Sequence, residues 1–368
     1  MPIYMDRFEI PEEKSAEYVA QMHREDLRVE HLYGCKGITY WCDEKKRAAF
    51  YLIKAPDKKS IQEMHNHTRG EFSGSIIEVD ATMLESFLGR IDDIEKAKNT
   101  ELNSINDSAF RIIVVIETSS YLNRLEANQF SLFSQKFHNS VSKSIKYFKG
   151  SIVKKDNNSY LVSFKSISNA LWCALKIQSN FKYITPKFDL KNRKMKIALC
   201  AGFPVSDKES IFEDVIVLAT RMCEIVKGQL VITNEVKTLY QSENRNSIID
   251  NELVRVLKPN EEKFLTHLMD YVQKVWNNPN INVNSFSKDL GLSKSQLYRK
   301  LMKLTGKSPN NFLRDFRLHK ALKRLYNQEG NISEIASESG FNSPAYFSKC
   351  FMKKYEILPS KYIQQHIV

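Results

Sequence analysis

Glycine and proline are scarce in this chain, 12 and 10 among 368 residues, which excludes collagen-like and low-complexity architectures. Cysteine is sparse too. Cys35, Cys42, Cys173, Cys200, Cys223 and Cys350 are scattered without a CxxC pair, and read as reduced, buried thiols. No apolar run approaches the ~20 residues that span a bilayer; Ile112–Ile116 is typical of the longest. The opening MPIYMDRFEIPEEKSAEY has no basic segment leading into an apolar one, so no secretory signal is expected. A cytoplasmic protein without a membrane partner is the expectation.

What remains is an ordinary globular balance, 42% apolar and 27% charged, and a length that predicts two or three domains. The net charge of +12 is unevenly spread: −6 over residues 1–95, +10 over 96–260 and +8 over 261–368. Excess basic charge suggests a polyanionic partner, though charge alone does not say which basic segment would meet it.

The hydrophobic periodicity divides the chain into a multidomain arrangement: 1–91, a polar linker 92–108, 109–250, a second linker 251–260, and 261–368. In the first segment, strand patterns at Pro2–Phe8, Ile38–Cys42, Ala48–Ile53 and Ser75–Val79 alternate with helix patterns at Ser15–Leu32 and Lys58–His67. The order βαββαβ is that of the α+β ferredoxin-like unit. The second segment alternates strands with amphipathic helices. They run from Arg111–Ile116 through a helix Gln129–Phe148, a hairpin Ser151–Phe164 turning at Asp156–Asn158, a helix Ile167–Phe181, a strand Met195–Gly202, a helix Ile211–Val226 and a strand Gln229–Thr233. Asn246–Pro259 reads as a final strand. This predicts a second α+β sandwich.

From Glu261 the pattern is helical. In NVNSFSKDLGLSKSQLYRKLMKLTG a short helix with Phe286 and Leu290 stops at Gly291. A second starts at Ser293 with Gln296 completing a capping box. Leu297, Leu301 and Leu304 make its buried stripe, leaving Lys294, Ser295, Tyr298, Arg299 and Lys303 outside. The grammar returns roughly fifty residues later in NISEIASESGFNSPAYFSKCFMKKY, where Asn331 and Glu334 cap, Gly340 breaks, and Ser343-Pro344 restarts. Phe347 and Phe351 face inward; Tyr346, Lys349 and Lys353 are available outside. Two short helices with a tight glycine turn, the second basic outside, describe a helix-turn-helix, here twice in an all-α unit. The stretch Pro309–Gln328 between them has a helical pattern, and a helix of about 18 residues there, roughly 27 Å long, could hold two reading helices near successive major grooves ~34 Å apart.

This C-terminal segment resembles the AraC/XylS family of bacterial transcription regulators, through LYRKLMKLTGKSPNNFLRDFRL, ISEIASESGFNSPAYFSKCFMKKY and LPSKY. The resemblance implies double-stranded DNA as partner. By motif position, base and phosphate contacts would come from Ser295, Tyr298 and Arg299 in the first reading helix and Ala345, Tyr346 and Lys349 in the second. Glu356 departs from the family's usual Gly, which bears on a helix C-cap.

The middle segment resembles the catalytic domain of class III nucleotidyl cyclases through GSIVKKDNNSYLVSF, NALWCALKIQ, ALCAGFPV and VIVLATRMCEIVKGQLVITNEV. Such an enzyme needs two carboxylates for a metal pair and an Asn–Arg couple one helical turn apart. The matching positions read Glu117, Asn158, Val217 and Arg221, and Lys154 falls at the purine-selecting lysine. With a neutral amide and an alkyl side chain at two of these positions, no catalytic activity is expected; Glu117, Lys154 and Arg221 remain as ligand-binding candidates. A working cyclase with a regulatory DNA-binding domain is the rival reading.

The first segment resembles a small bacterial ferredoxin-like family with nickel-binding members, through MPIYMDRFEIP, HREDLRVEHLYGCKGITYWCDE and KAPDKKSIQEMHNHTRGEF. The resemblance implies nickel or another divalent metal on His23 and His65, at family histidine positions. A later family histidine, however, falls at Arg69. Packed structural imidazoles are the competing account of both. The whole reads as a regulator whose upstream modules sense a small-molecule effector, form a homodimer, or both.

Overall fold

The computed structural model describes residues 1–70, 74–119, 127–184, 194–245 and 248–366. The first unit runs β1 (Ile3–Glu9), α1 (Ala16–Val29), a 3-10 turn (Glu30–Tyr33), β2 (Lys36–Asp43), β3 (Ala48–Lys54), α2 (Lys58–Arg69) and β4 (Ile76–Glu78). Its antiparallel sheet has the order β2-β3-β1-β4. Glu71 and Phe72 of the N-terminal motif lie outside the described residues. In β3 nearly every side chain is buried, because both faces of the sheet are covered. One face carries Tyr40, Tyr51 and Ile53 against Val19, Ile61 and Met64 of the two helices.

The other face, Met5, Trp41, Phe50, Leu52 and Ile77, packs on α3 (Ala81–Leu88), a helix the sequence reading did not anticipate, and on Ile113, Val205 and Phe212 of the middle unit. The expected linker 92–108 is packed rather than loose. It forms the short α4 (Glu95–Lys98) and buries Ala97 and Ile105. Tyr40 Oη donates to Asn103 O (2.6 Å) and accepts from the Ile105 N–H (2.8 Å). Two small apolar residues inside a polar stretch were enough to dock it.

The middle unit comprises β5 (Arg111–Ser119), α5 (Ala127–Tyr147), β6 (Ser151–Lys155), β7 (Ser159–Phe164), α6 (Ile167–Ile184), β8 (Lys194–Gly202), α7 (Glu213–Ile225), β9 (Leu230–Ile232), α8 (Asn234–Glu243) and β10 (Arg255–Val256). The mixed sheet is ordered β10-β9-β8-β5-β7-β6. The expected final strand Asn246–Pro259 shrinks to β10, and its first two residues lie outside the described set. Helices α5, α6 and α8 cover one face, around Ile112, Val114, Ile116 and Leu199. Helix α7 covers part of the other.

The C-terminal unit is helical: α9 (Pro259–Val275), α10 (Val283–Asp289), α11 (Lys294–Thr305), α12 (Pro309–Tyr326), α13 (Ile332–Glu338), α14 (Pro344–Tyr355) and α15 (Pro359–His366). Leu265, Leu268 and Val272 of α9 share an apolar cluster with Val115, Ala198, Cys200, Met222 and Val231 of the middle sheet and α7. The expected second linker, 251–260, therefore holds β10, the buried Leu257 and the start of α9. All six cysteines are buried and unpaired. Among the described residues no helix is long and apolar enough to cross a membrane.

Candidate nucleic-acid interface

Each helix-turn-helix is set by its caps. Asn282 Oδ1 accepts from the Asn284 and Ser285 N–H groups and starts α10. Ser293 Oγ accepts from the Gln296 N–H (3.2 Å) while Gln296 Oε1 accepts from the Ser293 N–H (2.9 Å), the reciprocal box that starts α11. In the second motif, Asn331 and Glu334 form the same box at α13. Ser343 Oγ accepts from the Tyr346 N–H, with Pro344 at the first helical position of α14. The turns fall at Gly291 (φ +64°) and Gly340 (φ +77°), a backbone region that L side chains avoid.

The apolar stripes hold. Leu297, Leu301 and Leu304 of α11 and Phe347 and Phe351 of α14 are fully buried. That fixes which faces are outside: Lys294, Ser295, Tyr298 and Arg299 on α11 and Ala345, Tyr346 and Lys349 on α14 are exposed, with Tyr298 at 51% and Tyr346 at 52%. Lys303 is exposed as well, but its ammonium pairs with Glu261 at 3.3 Å, so it is partly committed within the protein. Helix α12, 18 residues long as expected, joins the motifs. Its Arg317 donates to Trp276 O (2.7 Å) and Asn278 O (2.6 Å), capping the end of α9. No residue pattern signals this role, since bonds to backbone carbonyls leave none. Glu356 sits in the left-handed region (φ +60°) at the C-cap of α14, the position a glycine would favour.

The ligand candidates of the middle unit separate. Glu117 lies at the end of β5, paired in register with Lys196 of β8. Burial, reinforced by Glu224, pushes its carboxyl up to about 7, and Lys323 of α12 and Lys196 oppose the shift. Arg221, largely buried, donates through Nη2 to Asp270 Oδ1 of α9 (2.5 Å). Val217, one turn earlier, is partly exposed. Lys154 stands in solvent on the edge strand β6, 3.7 Å from Asp156. Among the described residues no hydrogen bond or ion pair joins Glu117, Lys154 and Arg221. Asn158 spends its backbone carbonyl on the Thr118 N–H (2.8 Å).

His23 and His65 of the first unit are both engaged within the protein. His65 is completely buried, with Nε2 2.6 Å from Asp6 Oδ2 and Nδ1 3.4 Å from Asp26 Oδ1, so both ring nitrogens already face carboxylates. Arg69, where the resembled family has histidine, bonds Asp26 through Nη2 and lies over the Tyr51 ring at 4.2 Å. A guanidinium already supplies positive charge to this buried acidic pair. His23 is packed against Tyr40 and Tyr51, and burial lowers its pKa to about 4. Among the described residues no group of three or more His, Cys, Asp or Glu could hold a metal ion. Of the two histidines expected to hold a metal, the structure places His23 as a packed ring and His65 between two carboxylates.

The C-terminal unit is a double helix-turn-helix domain presenting one exposed face from each second helix. Residues 286–365 match the family described as "Helix-turn-helix domain", and the unit is of the AraC type. Residues 4–79 match the family described as "Nickel responsive protein SCO4226-like". Similar curated proteins include histidine kinase P4 of Formosa agariphila, 33% identical over 132 residues, covering 36% of this chain and 10% of that protein. The HTH-type transcriptional regulator MtrA of Neisseria gonorrhoeae is 33% identical over 115 residues, 31% of this chain and 37% of that one. The chain thus spans from a tenth to under two-fifths of these relatives. Among solved structures, a bacterial light-regulated adenylyl cyclase matches at 12% identity and a TM-score of 0.29, over 65% of this chain and 87% of that chain.

Proposed function

We propose that this chain is a sequence-specific transcription regulator acting on double-stranded DNA in the cytoplasm. The observation that carries the reading is the pair of capped, internally packed reading helices, with Lys294, Ser295, Tyr298 and Arg299 on one and Ala345, Tyr346 and Lys349 on the other left outside. Side chains so placed enter successive major grooves, while neighbouring lysines neutralise phosphates and make binding steeply salt-dependent. Arg299 is the base reader of first choice, because a guanidinium reaches guanine O6 and N7 together.

We read the first unit as ferredoxin-like, supported by the strand order β2-β3-β1-β4, and the middle unit as a cyclase-like sandwich that does not turn over nucleotide. Support for the latter is the alkyl side chain of Val217 and the engagement of Arg221 by Asp270. These units sense an effector, dimerise, or do both.

The test is selection of a binding site from random duplexes, followed by Arg299→Ala. The expected loss is ~1–3 kcal/mol on the selected site, with relaxed preference at one base pair and no change on random DNA. An equal loss on both duplexes would remove Arg299 from base reading, and a chain that enriches no sequence would refute the function itself.

A further inference from the structure

The last carbonyls of an α-helix have no partner within it and must be satisfied from outside. At the end of α11 the carbonyls of Lys303 and Leu304 are satisfied from the middle unit. The backbone N–H of Lys227, in the turn between α7 and β9, donates to Leu304 O at 2.9 Å. Arg255, on the edge strand β10, donates through Nη1 to Leu304 O (3.2 Å) and through Nη2 to Lys303 O (3.0 Å). Its Nη1 also reaches Lys227 O at 3.2 Å, so one guanidinium binds both sides of the seam.

A cation is well placed at a helix C-terminus, where the backbone dipoles converge on negative carbonyls, and the planar fork of arginine lets it hold several at fixed angles. Glu261 lies 3.5 Å from the same guanidinium and 3.3 Å from the Lys303 ammonium, which closes the ring of charges. Both reading helices also keep a C-cap bond of their own, Gly306 N–H to Met302 O in α11 and Glu356 N–H to Met352 O in α14, and Lys354 of α14 donates to Asp315 O.

Helix α11 bears Tyr298 and Arg299, and its far end hangs on β10, which pairs in parallel with Val231 and Ile232 of β9. A small displacement of that edge moves the helix that reads the first part of the site.

We propose that the edge of the middle sheet sets the pose of the first reading helix through Arg255, so that a change at that edge alters recognition of the half of the DNA site that α11 reads. Arg255 is a positioning residue in this scheme and touches no base. The inference rests on the DNA-binding reading above.

The experiment uses the full chain and a site selected by the wild type. Binding is measured by fluorescence anisotropy on that site and on versions scrambled in either half. The variants are Arg255→Lys, which keeps the charge beside Glu261 but loses the fork, and Arg255→Gln combined with Glu261→Gln, which leaves no unpaired carboxylate. The double variant is expected to lose about tenfold on the intact site, the worth of one or two hydrogen bonds. It should lose nothing further when the half read by α11 is scrambled, and keep the wild-type response to scrambling the other half. The Lys227 amide should exchange faster in the same variant. If the double variant does not fold, Arg255→Lys decides by the same comparison with a smaller loss. Folded variants that discriminate both halves as the wild type does would overturn the coupling while the DNA-binding reading stands. A wild type that selects no site would take down both.

Discussion

Alanine at Gly291 and alanine at Gly340 put the same methyl group at the same place in two copies of one motif. Both backbones lie in the left-handed region, at φ +64° and +77°, where an L side chain costs ~1–2 kcal/mol. The surroundings differ. A Cβ at Gly291 would meet nothing within 4 Å. At Gly340 it would lie 2.9 Å from Arg317 Nε and 3.0 Å from the carbonyl carbon and oxygen of Asn277. The Asn277 contact is backbone, and Arg317 is held by its bonds to Trp276 O and Asn278 O, so neither neighbour can swing aside. Forcing a methyl into such a place adds ~1–3 kcal/mol. Gly291→Ala should therefore cost about 1–2 kcal/mol and Gly340→Ala about 2–5 kcal/mol. Native-state hydrogen exchange in the full chain reads the opening free energy of each motif locally: the amides of α10 and α11 report on the first variant, those of α13 and α14 on the second. Losses equal to within about 0.5 kcal/mol, a typical additivity error, would refute the packing argument and leave backbone conformation as the whole effect.

Three further outcomes follow from the geometry. Glu356→Gly should stabilise the C-terminal unit by about 1 kcal/mol, because glycine adopts the left-handed C-cap without steric cost; exchange at α14 and α15 would show slower opening, and faster opening would contradict it. Glu117 holds a proton in the folded chain up to about pH 7 that the unfolded chain releases near 4.5, so this residue makes stability fall as pH rises across that window. Glu117→Gln should flatten the fall, with its urea midpoint gaining on the wild type between pH 5 and 7.5; a constant gap would mean that Glu117 does not titrate as described. Calorimetry of the wild type with Ni²⁺ should show no saturable binding to the first unit, and stoichiometric binding that His65→Ala removes would reverse the account of that histidine.

Much of the C-terminal unit was legible because its signals are local. Caps, glycine turns and i, i+4 stripes are written within a dozen residues, and Ser293–Gln296, Asn331–Glu334 and Ser343-Pro344 all form the bonds their types suggest. The strand and helix order of the first two units was legible for the same reason. What was not legible is long-range. Helices α3 and α8 have caps of their own at Asp80 and Thr233, but at 8 and 10 residues they show too little periodicity to stand out until the neighbouring sheet is present. The segments read as linkers look polar, yet Ile105 and Leu257 are fully buried, because one apolar side chain suffices when a partner surface awaits it. His65 shows the limit most plainly. Its imidazole suits a metal, and only the fold reveals that Asp6 and Asp26, far off in sequence, flank it.

Strand β5 touches three cores. Ile112, Val114 and Ile116 point to the middle unit's own helices, Ile113 to the core shared with the first unit, and Val115 to the one shared with α9. Nine residues of a single strand thus carry the pattern by which three family-sized segments recognise one another. The consequence is evolutionary. Recombination could join such segments end to end at any time, but the join becomes one molecule only after the outer face of β5 has been rewritten for both neighbours at once. A middle unit moved into another regulator would arrive with Ile113 and Val115 shaped for partners left behind.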